Sequence, residues 1–309
     1  MVAPVLLSRE ALHQLVVATT KRLALHHVPG QDRRITAENV YQSGNRWNLP
    51  VILDLMEQLL LPGSALQGCD HLDHCLAQID AGQRILFLAE HAGNFDVPAF
   101  FYLVGRASLR YQRILDRLIY IAGRKLNEES EVVKMYTEIF SRIVIVPRRE
   151  LLGPSHAEGA AERGARLAEE HTAATINRAA FRRMAQLKRN GHIFCLFPLG
   201  GRPKGELDNV PVKETTSYLK AFDLAYPIAM VGNPLPATAG PMELEVPIQD
   251  RVVFRVGAPL ACADYLMASR VAWESAGAPL DFEQFTANRV MDLLRELHRA
   301  AADGGGAGT

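Results

Sequence analysis

The sequence predicts an α/β protein with a largely parallel central sheet, flanked by helices and preceded by a small N-terminal helical bundle. Two observations predict this fold class. From residue 84 onward, short apolar runs alternate with longer helical patterns, as in sheets built from strand–helix–strand units. Before that point the apolar residues recur at helical spacing, and no run is typical of a strand. We expect a helical bundle over residues 1–80, an α/β domain over 81–302 and a disordered tail over 303–309.

Four helices are expected in the N-terminal segment. Ser8 is positioned to cap the first helix, and Thr36 is positioned to cap the second. Asn48 and Pro50 mark the start of the third, because proline is favoured in the first turn of a helix. A fourth helix is expected over residues 66–79.

The predicted strands are short apolar runs in the second part of the chain. Five of them form the centre of the expected sheet: 85–88, 118–122, 143–146, 193–197 and 228–231. Two more, at 242–246 and 252–256, are expected to extend it. Helical patterns cover 130–140, 156–189 and 282–301.

Composition and charge exclude several classes of protein. Lys plus Arg and Asp plus Glu both total 34, so no global charge favours nucleic acid as a partner. No apolar run has the roughly 20 residues needed to span a bilayer. The N-terminus lacks the regions of a secretory signal, and four cysteines fit a reducing compartment better than a disulfide framework. We expect a soluble, cytoplasmic protein, with at most peripheral contact with the inner membrane surface.

The segment CDHLDHC, residues 69–75, contains candidate zinc ligands. His71 and Cys75 are four residues apart and share one face of the predicted helix. Cys69 and His74 point elsewhere, and no second cluster of ligands follows. A buried cysteine and a surface histidine are the more ordinary interpretation, so no metal site is predicted.

The stretch RILFLAEHAGNFDVPAFF, residues 84–101, predicts a strand that turns into a helix. His91 falls at the strand tip, and Asp96 falls at or near the first helical turn. Ligands of open α/β sheets usually bind at this carboxyl edge. Asp96 can hydrogen-bond one imidazole nitrogen, which fixes the tautomer and leaves the other nitrogen free to accept a proton. The alternative is that Asp96 or Asn94 only caps the helix.

Basic clusters follow two later strands and predict a phosphorylated or carboxylated substrate. Adjacent glycines let the backbone approach a ligand, and arginine offers a bidentate fork for phosphate. The candidate binding residues are Arg148, Arg149, Gly200, Gly201, Arg202 and Lys204. A solvated turn is the alternative for the glycine segment, and the lysine–hydroxyl pair of a P-loop is missing. A third basic turn contains Arg124 and Lys125, which face either a ligand or the solvent.

The order of these elements resembles the glycerolipid acyltransferase family. Its H-x4-D block is matched by His91 and Asp96, and its second block resembles the strand 119–123 followed by 143–149. The third block, usually F-P-E-G-T-R, is matched by Phe197, Pro198, Gly200 and Arg202. The fourth, an apolar strand bearing a proline, resembles residues 226–231.

Two residues depart from the usual third block. Leu199 stands where most members carry glutamate, and Gly201 replaces the usual threonine or serine. This form is similar to the soluble, plastid-type glycerol-3-phosphate acyltransferases. The resemblance implies that His91 is the general base and that Asp96 orients it. It also implies phosphate binding by Arg148, Arg149, Arg202 and Lys204, with Gly200 and Gly201 in the substrate loop, and it implies no metal or nucleotide cofactor.

The expected activity is therefore transfer of a fatty acyl group from an acyl thioester to a hydroxyl of glycerol-3-phosphate, in phospholipid biosynthesis. The donor would be acyl-carrier protein (acyl-ACP) or coenzyme A (acyl-CoA). Lysophosphatidate is an alternative acceptor. A thioesterase is another alternative, but it would give no role to the four cations, Arg148, Arg149, Arg202 and Lys204. The remaining alternative is a non-catalytic protein that binds lipid or acyl carrier on the same scaffold. Leu199 favours that alternative, and the intact pair of His91 and Asp96 opposes it.

Overall fold

The computed structural model describes residues 6–28, 32–128, 130–151, 160–202, 210–238, 245–278 and 280–303. The strands within these ranges are β1 Tyr41–Gln42, β2 Ala65–Gln67, β3 Ile85–Ala89, β4 Leu118–Gly123, β5 Arg142–Ile145, β6 Ile193–Leu196, β7 Leu224–Val231, β8 Val253–Val256 and β9 Leu260–Ala261. The helices are α1 Arg9–Ala24, α2 Leu49–Leu59, α3 Cys69–Asp80, α4 Asp96–Ala107, α5 Gln112–Arg117, α6 Lys125–Glu128, α7 Glu131–Thr137, α8 Arg148–Leu151, α9 Ala160–Arg189, α10 Thr215–Leu219, α11 Cys262–Ser275 and α12 Phe282–Asp303.

All these strands belong to one mixed sheet, in the order β1-β5-β4-β6-β3-β7-β8-β2, with β9 paired to β7. The central strands β5, β4, β6, β3 and β7 are parallel to one another. Antiparallel pairing is confined to the flanks, between β1 and β5, β7 and β8, and β7 and β9. The predicted α/β class with a largely parallel sheet flanked by helices is confirmed.

The central strands are buried on both faces because helices cover both sides of the sheet. Alternate residues of a strand point to opposite faces, and the core divides accordingly. Phe87 packs with the layer that contains α1, α2, α3, α4 and α7. Its neighbours Leu86 and Leu88 pack with the opposite layer of α9, α10, α11 and α12. The near-continuous apolar character of these runs follows from this double burial.

Several predicted elements have the expected positions and local causes. The Ser8 hydroxyl oxygen accepts a hydrogen bond from the Ala11 amide at 3.1 Å, so Ser8 caps α1. Pro50 lies in the first turn of α2, as expected. The Asn48 side chain, however, donates to the Leu23 carbonyl at the end of α1 instead of capping α2. Asn48 therefore links the end of α1 to the start of α2.

The prediction of a helix after Thr36 is wrong. The Thr36 hydroxyl accepts a hydrogen bond from the Glu38 amide, two residues on, which is a local turn and not a helix cap. The chain then enters β1, where Tyr41 pairs with Ile143 of β5. Pairing with an edge of the sheet outweighs the local helical pattern here.

The expectation that residues 8–80 contain no strand is also wrong. Both β1 and β2 lie in this segment, and both join the main sheet. Buried residues of α1 and α2, such as Leu23 and Met56, share one apolar cluster with Phe87 of β3 and Phe100 of α4. One core therefore crosses the predicted boundary between residues 80 and 81.

Three other expectations fall partly outside the described residues. The strand expected at 242–246 lies mostly there, and the described residues Glu245 and Val246 are not in a strand. The helix expected at 156–189 begins outside the described residues. Of the tail expected to be disordered, only residue 303 is described. Within the described ranges, no helix is both long enough and apolar enough to cross a membrane.

The shared core predicts that the N-terminal helices unfold together with the sheet. Met56→Ala removes a fully buried side chain of α2 and should lower the free energy of unfolding by about 2–5 kcal/mol. Urea denaturation followed by circular dichroism gives this value, and hydrogen exchange compares peptides from α2 and β6. Leu109→Ala is the control, because its side chain is 90% exposed and its loss should change stability by less than about 0.5 kcal/mol. Loss of α2 protection at a lower urea concentration than β6 would instead define an independent bundle.

Candidate active site

The topology creates a crevice between the carboxyl ends of β3 and β6. These two strands are neighbours in the sheet, with Leu88 opposite Leu196. The chain leaves β3 into α4, which packs on one face, and leaves β6 toward α10, which packs on the other. Connections that diverge in this way open a gap at the strand ends, the usual ligand site of such sheets. His91 follows β3 and Phe197 follows β6.

His91 and Asp96 form a hydrogen-bonded pair in this crevice. The distance from His91 Nδ1 to Asp96 Oδ2 is 2.9 Å. The Asp96 side chain is only 3% exposed, whereas the His91 side chain is 17% exposed. The carboxylate oxygen accepts from Nδ1–H, so the neutral imidazole carries its lone pair on Nε2. No hydrogen bond to Nε2 is found among the described residues, and His91 lines a large cavity.

Backbone amides hold the Asp96 carboxylate in place. Its Oδ2 accepts from the Ala92 amide at 2.6 Å, and the Gly93 amide lies 2.9 Å from Oδ1 and 3.0 Å from Oδ2. Asp96 is also the first residue of α4, where the helix dipole favours a negative charge. The same carboxylate thus stabilises the turn and orients the histidine. The alternative in which Asp96 or Asn94 only caps the helix is wrong, because Phe95 is at the N-cap of α4 and no side chain caps it.

Gly93 is required where the turn meets the loop after β7. A Cβ added at Gly93 would lie 2.1 Å from Asn233 Oδ1 and 2.7 Å from the Leu235 carbonyl oxygen. Asn233 also donates from Nδ2 to the Ala92 carbonyl at 3.0 Å. The turn that carries His91 is therefore fixed from both sides.

An aromatic stack fixes the plane of the imidazole. The rings of His91 and Phe197 lie 4.2 Å apart, with 20° between their planes. The Phe197 ring in turn stacks on Tyr120 of β4 at 6.0 Å. No role was expected for Phe197 beyond its place in the third sequence block. The pairing of β3 with β6 explains why its ring meets His91.

A cavity of about 1910 Å³ opens at this edge of the sheet. Its walls come from both helical layers: α1, α4 and α7 on one side, α9 and α10 on the other. Of the residues predicted to bind substrate, Gly200, Gly201 and Arg148 line this cavity. The Arg149 side chain and the whole of Lys204 lie outside the described residues.

Arg202 is held by a carboxylate. Its Nη1 lies 2.7 Å from Glu245 Oε1, and the side chains are 5% and 0% exposed. Glu245 Oε2 also accepts from Asn94 Nδ2 at 2.7 Å, and its Oε1 accepts from the Thr238 amide at 3.3 Å. Glu245 lines the cavity, but Arg202 is not among the described lining residues. The contact with Glu245 could not be predicted from the sequence, because Glu245 is 43 positions from Arg202.

Other basic residues near the strand ends have their own partners. Arg124 lies near three carboxylates, those of Glu128, Glu150 and Glu169. Arg142 donates to the Asn127 side-chain oxygen and the Thr137 carbonyl oxygen. Burial lowers the pKa of Arg142 to about 10.

The cysteine and histidine segment is part of α3. Burial raises the pKa of Cys75 to about 12, which keeps the thiol protonated. His74 Nδ1 lies 2.8 Å from the Tyr226 hydroxyl. Across the described ranges, no group of three or more His, Cys, Asp or Glu residues is arranged to hold a metal ion.

Comparison with known proteins identifies no family for this chain. No protein-family model matches it, and no curated protein matches it. Among solved structures, the ATPase DotB of Legionella pneumophila aligns with a TM-score of 0.27 and 14% identity, over 76% of this chain. The match spans 58% of the DotB chain, and a similarity this weak supports no inference about function.

The buried pair of Arg202 and Glu245 predicts a strong coupling in stability. Arg202→Met or Glu245→Gln alone leaves one buried charge unpaired and should lower the free energy of unfolding by about 3–5 kcal/mol. The double variant should lose much less than the sum of the two single variants. Urea denaturation of all four proteins measures the coupling.

A surface pair provides the control for this cycle. Arg295 and Asp292 lie 2.8 Å apart, but their side chains are 53% and 65% exposed. Arg295→Met should cost less than about 1 kcal/mol, because solvent screens such pairs. Additive effects of Arg202→Met and Glu245→Gln would show that the two side chains do not depend on each other.

Proposed function

We propose that this protein is an acyltransferase that moves a fatty acyl group from an acyl thioester to a hydroxyl of glycerol-3-phosphate. The observation that carries the proposal is the His91–Asp96 pair, at 2.9 Å, lining the cavity at the carboxyl edge of the sheet. A histidine with an oriented Nδ1 and an unengaged Nε2 is suited to take a proton from an alcohol. The resemblance of the sequence blocks to glycerolipid acyltransferases is consistent with this chemistry.

In the proposed reaction, the acceptor hydroxyl oxygen attacks the thioester carbonyl carbon while its proton passes to His91 Nε2. The Asp96 carboxylate stabilises the imidazolium that forms. The tetrahedral intermediate then collapses, the carbon–sulfur bond breaks, and His91 returns the proton to the leaving thiolate. No covalent acyl-enzyme is required.

Backbone amides of the turn that carries His91 are candidate donors to the oxyanion of the tetrahedral intermediate. The amides of Ala92 and Gly93 donate to Asp96, so they do not serve the intermediate. Of the amides of residues 91–95, those of His91, Asn94 and Phe95 do not donate to Asp96 and are the candidates. Preorganised donors of this kind stabilise charge that develops in the transition state.

The wall formed by α1, α4 and α7 is suited to an acyl chain. The Phe95 ring lies 6.0 Å from the Tyr136 ring, and the Tyr136 hydroxyl lies 2.8 Å from Thr20 Oγ1, so the wall is continuous from the catalytic turn to α1. Lining residues of α1 run from Arg9 to Lys21, a length of about 18 Å at about 1.5 Å per residue. Val16, Val17 and Val133 supply apolar surface along it.

Lysophosphatidate is a second candidate acceptor, and the size of the cavity favours it. A volume of about 1910 Å³ exceeds the roughly 300–1,000 Å³ of ordinary small-molecule sites. Such a space is compatible with an acyl chain on the acceptor as well as on the donor. In either case we place the reaction in phospholipid biosynthesis in the cytoplasm, at or near the inner membrane surface, with acyl-ACP or acyl-CoA as donor.

We predict that His91→Ala lowers turnover by roughly 10²–10⁴-fold. Asp96→Asn should lower kcat with little change in the acceptor KM, because Asp96 acts through His91 and not on the acceptor. The assay offers glycerol-3-phosphate and lysophosphatidate separately, each with acyl-ACP and acyl-CoA. His298→Ala is the control, since His298 also has a carboxylate partner, Glu90 at 2.8 Å, but does not line the cavity.

Each alternative function gives a different result in the same assay. Thioester hydrolysis without an acceptor requirement would identify a thioesterase. Thioester binding without turnover by the folded protein would identify a binding protein. Activity on lysophosphatidate alone would keep the mechanism and change the acceptor.

A further prediction concerns acyl chain length. Val17→Trp fills part of the wall beside α1 and should lower kcat/KM for long-chain donors by ~10-fold or more, while short-chain donors react normally. Val271→Trp is the matched control, because Val271 is 60% exposed and lies on α11 away from the cavity lining. An equal loss of kcat/KM for donors of all chain lengths would show that this wall does not bind the acyl chain.

A further inference from the structure

We propose that Lys213, together with Arg148, forms a binding subsite for a phosphate monoester at the mouth of the cavity. This inference rests on the proposed function, for which it specifies where the phosphate of the acceptor binds. Lys213 lies outside every sequence motif discussed above. Both residues line the cavity, each on a segment next to a central strand end.

Arg202 is not available to a phosphate as a free cation. Its charge is matched by Glu245, and the pair is almost completely buried. A phosphate would have to displace a carboxylate that also accepts from Asn94 and the Thr238 amide. Separating a buried ion pair is costly. The phosphate therefore needs cations that are still accessible from the cavity.

Lys213 is brought to the loop after β6 by the backbone. The Val212 amide donates to the Pro198 carbonyl at 2.8 Å, which places the next residue beside the turn of Gly200 and Gly201. The neighbouring Pro211 carbonyl accepts from Gln284 Nε2 of α12 at 3.0 Å. Two long-range contacts therefore fix the segment that carries Lys213.

Arg148 is positioned at the end of β5 by α9. Asn177 donates from Nδ2 to the Val146 carbonyl at 2.9 Å and accepts from the Val146 amide at 2.8 Å. The ends of β5 and β6 are separated by β4 alone. At about 4.8 Å per strand, they lie roughly 10 Å apart, a gap that an arginine and a lysine side chain can close around one phosphate.

Lys213 can exchange its present carboxylate partner for a phosphate at little cost. Its present partner, Asp281, is 3.7 Å away, and the two side chains are 44% and 53% exposed. An exposed pair at this distance contributes little to stability. A phosphate monoester carries more charge than a carboxylate and has more acceptor oxygens. Lys213 therefore loses little when it turns from Asp281 to the ligand.

The subsite also has the right position relative to His91. Phe197, at the end of β6, stacks on the His91 ring at 4.2 Å, and the turn of Gly200 and Gly201 follows it directly. A phosphate held beside that turn would leave the hydroxyl end of a short acceptor near His91. This arrangement replaces a random encounter with a positioned one.

The test measures binding without turnover. Isothermal titration calorimetry compares glycerol-3-phosphate, inorganic phosphate and glycerol as ligands of the full chain, with no thioester present. We expect the two phosphates to bind and Lys213→Met to weaken their binding ~10-fold or more, as for loss of a charge-assisted hydrogen bond. Lys213→Arg should retain most of the affinity.

Lys220→Met is the matched control. Lys220 is also exposed, at 53%, and has a carboxylate partner, Glu283, at 3.4 Å, but it does not line the cavity. The Lys220→Met variant should bind phosphate with the same affinity as the unaltered protein. Equal affinity of Lys213→Met and Lys220→Met, or no phosphate binding by the unaltered protein, would overturn the subsite. Binding that depends on Lys213, without acyl transfer to any acceptor, would keep the subsite and overturn the proposed function.

Discussion

The hydrogen bonds made by the Asp96 carboxylate are the interaction on which the site depends. One buried side chain accepts from the His91 imidazole and from two backbone amides of the intervening turn. A buried carboxylate is tolerated only when donors satisfy it, and here the donors are His91 and the two amides of the turn. The dipole of α4, which begins at Asp96, favours the negative charge as well. The same side chain therefore both holds the turn and orients His91 for the proposed reaction. Removal of the charge would disturb both the turn and the orientation of His91.

The order of the strands extends this local arrangement into a cavity. Because β6 pairs beside β3, the connections that leave these strands separate to opposite faces of the sheet. The cavity at their ends is therefore lined by both layers, including α1 from the N-terminal segment. The N-terminal helices are thus part of the wall of the candidate site as well as of the core. This geometry gives one continuous space with apolar residues of α1, α4 and α7 along one wall.

The sequence predicted what depends on neighbouring residues and on strand periodicity. The central strands and the His91–Asp96 pair fall in this class, since His91 and Asp96 are only five positions apart in the chain. It did not predict contacts between distant segments. Glu245 meets Arg202 only because two loops converge, and no pattern near either residue signals the other. The helix expected after Thr36 failed for a similar reason, because the partner of β1 is a strand about 100 residues further along the chain.

The cations at the strand ends have similar positions in the sequence but different environments in the structure. In sequence, Arg124, Arg148 and Arg202 have the same kind of position, each just after an apolar strand. In the structure Arg124 faces three carboxylates and Arg202 is buried against Glu245, whereas Arg148 is exposed and lines the cavity. A cation that already has a buried partner contributes to folding, because a ligand must first break that pair. An exposed cation at the rim keeps its charge available at little cost to stability. For the proposed phosphorylated acceptor, the exposed cations at the rim are therefore better placed than the buried one, whatever the motif to which a residue belongs.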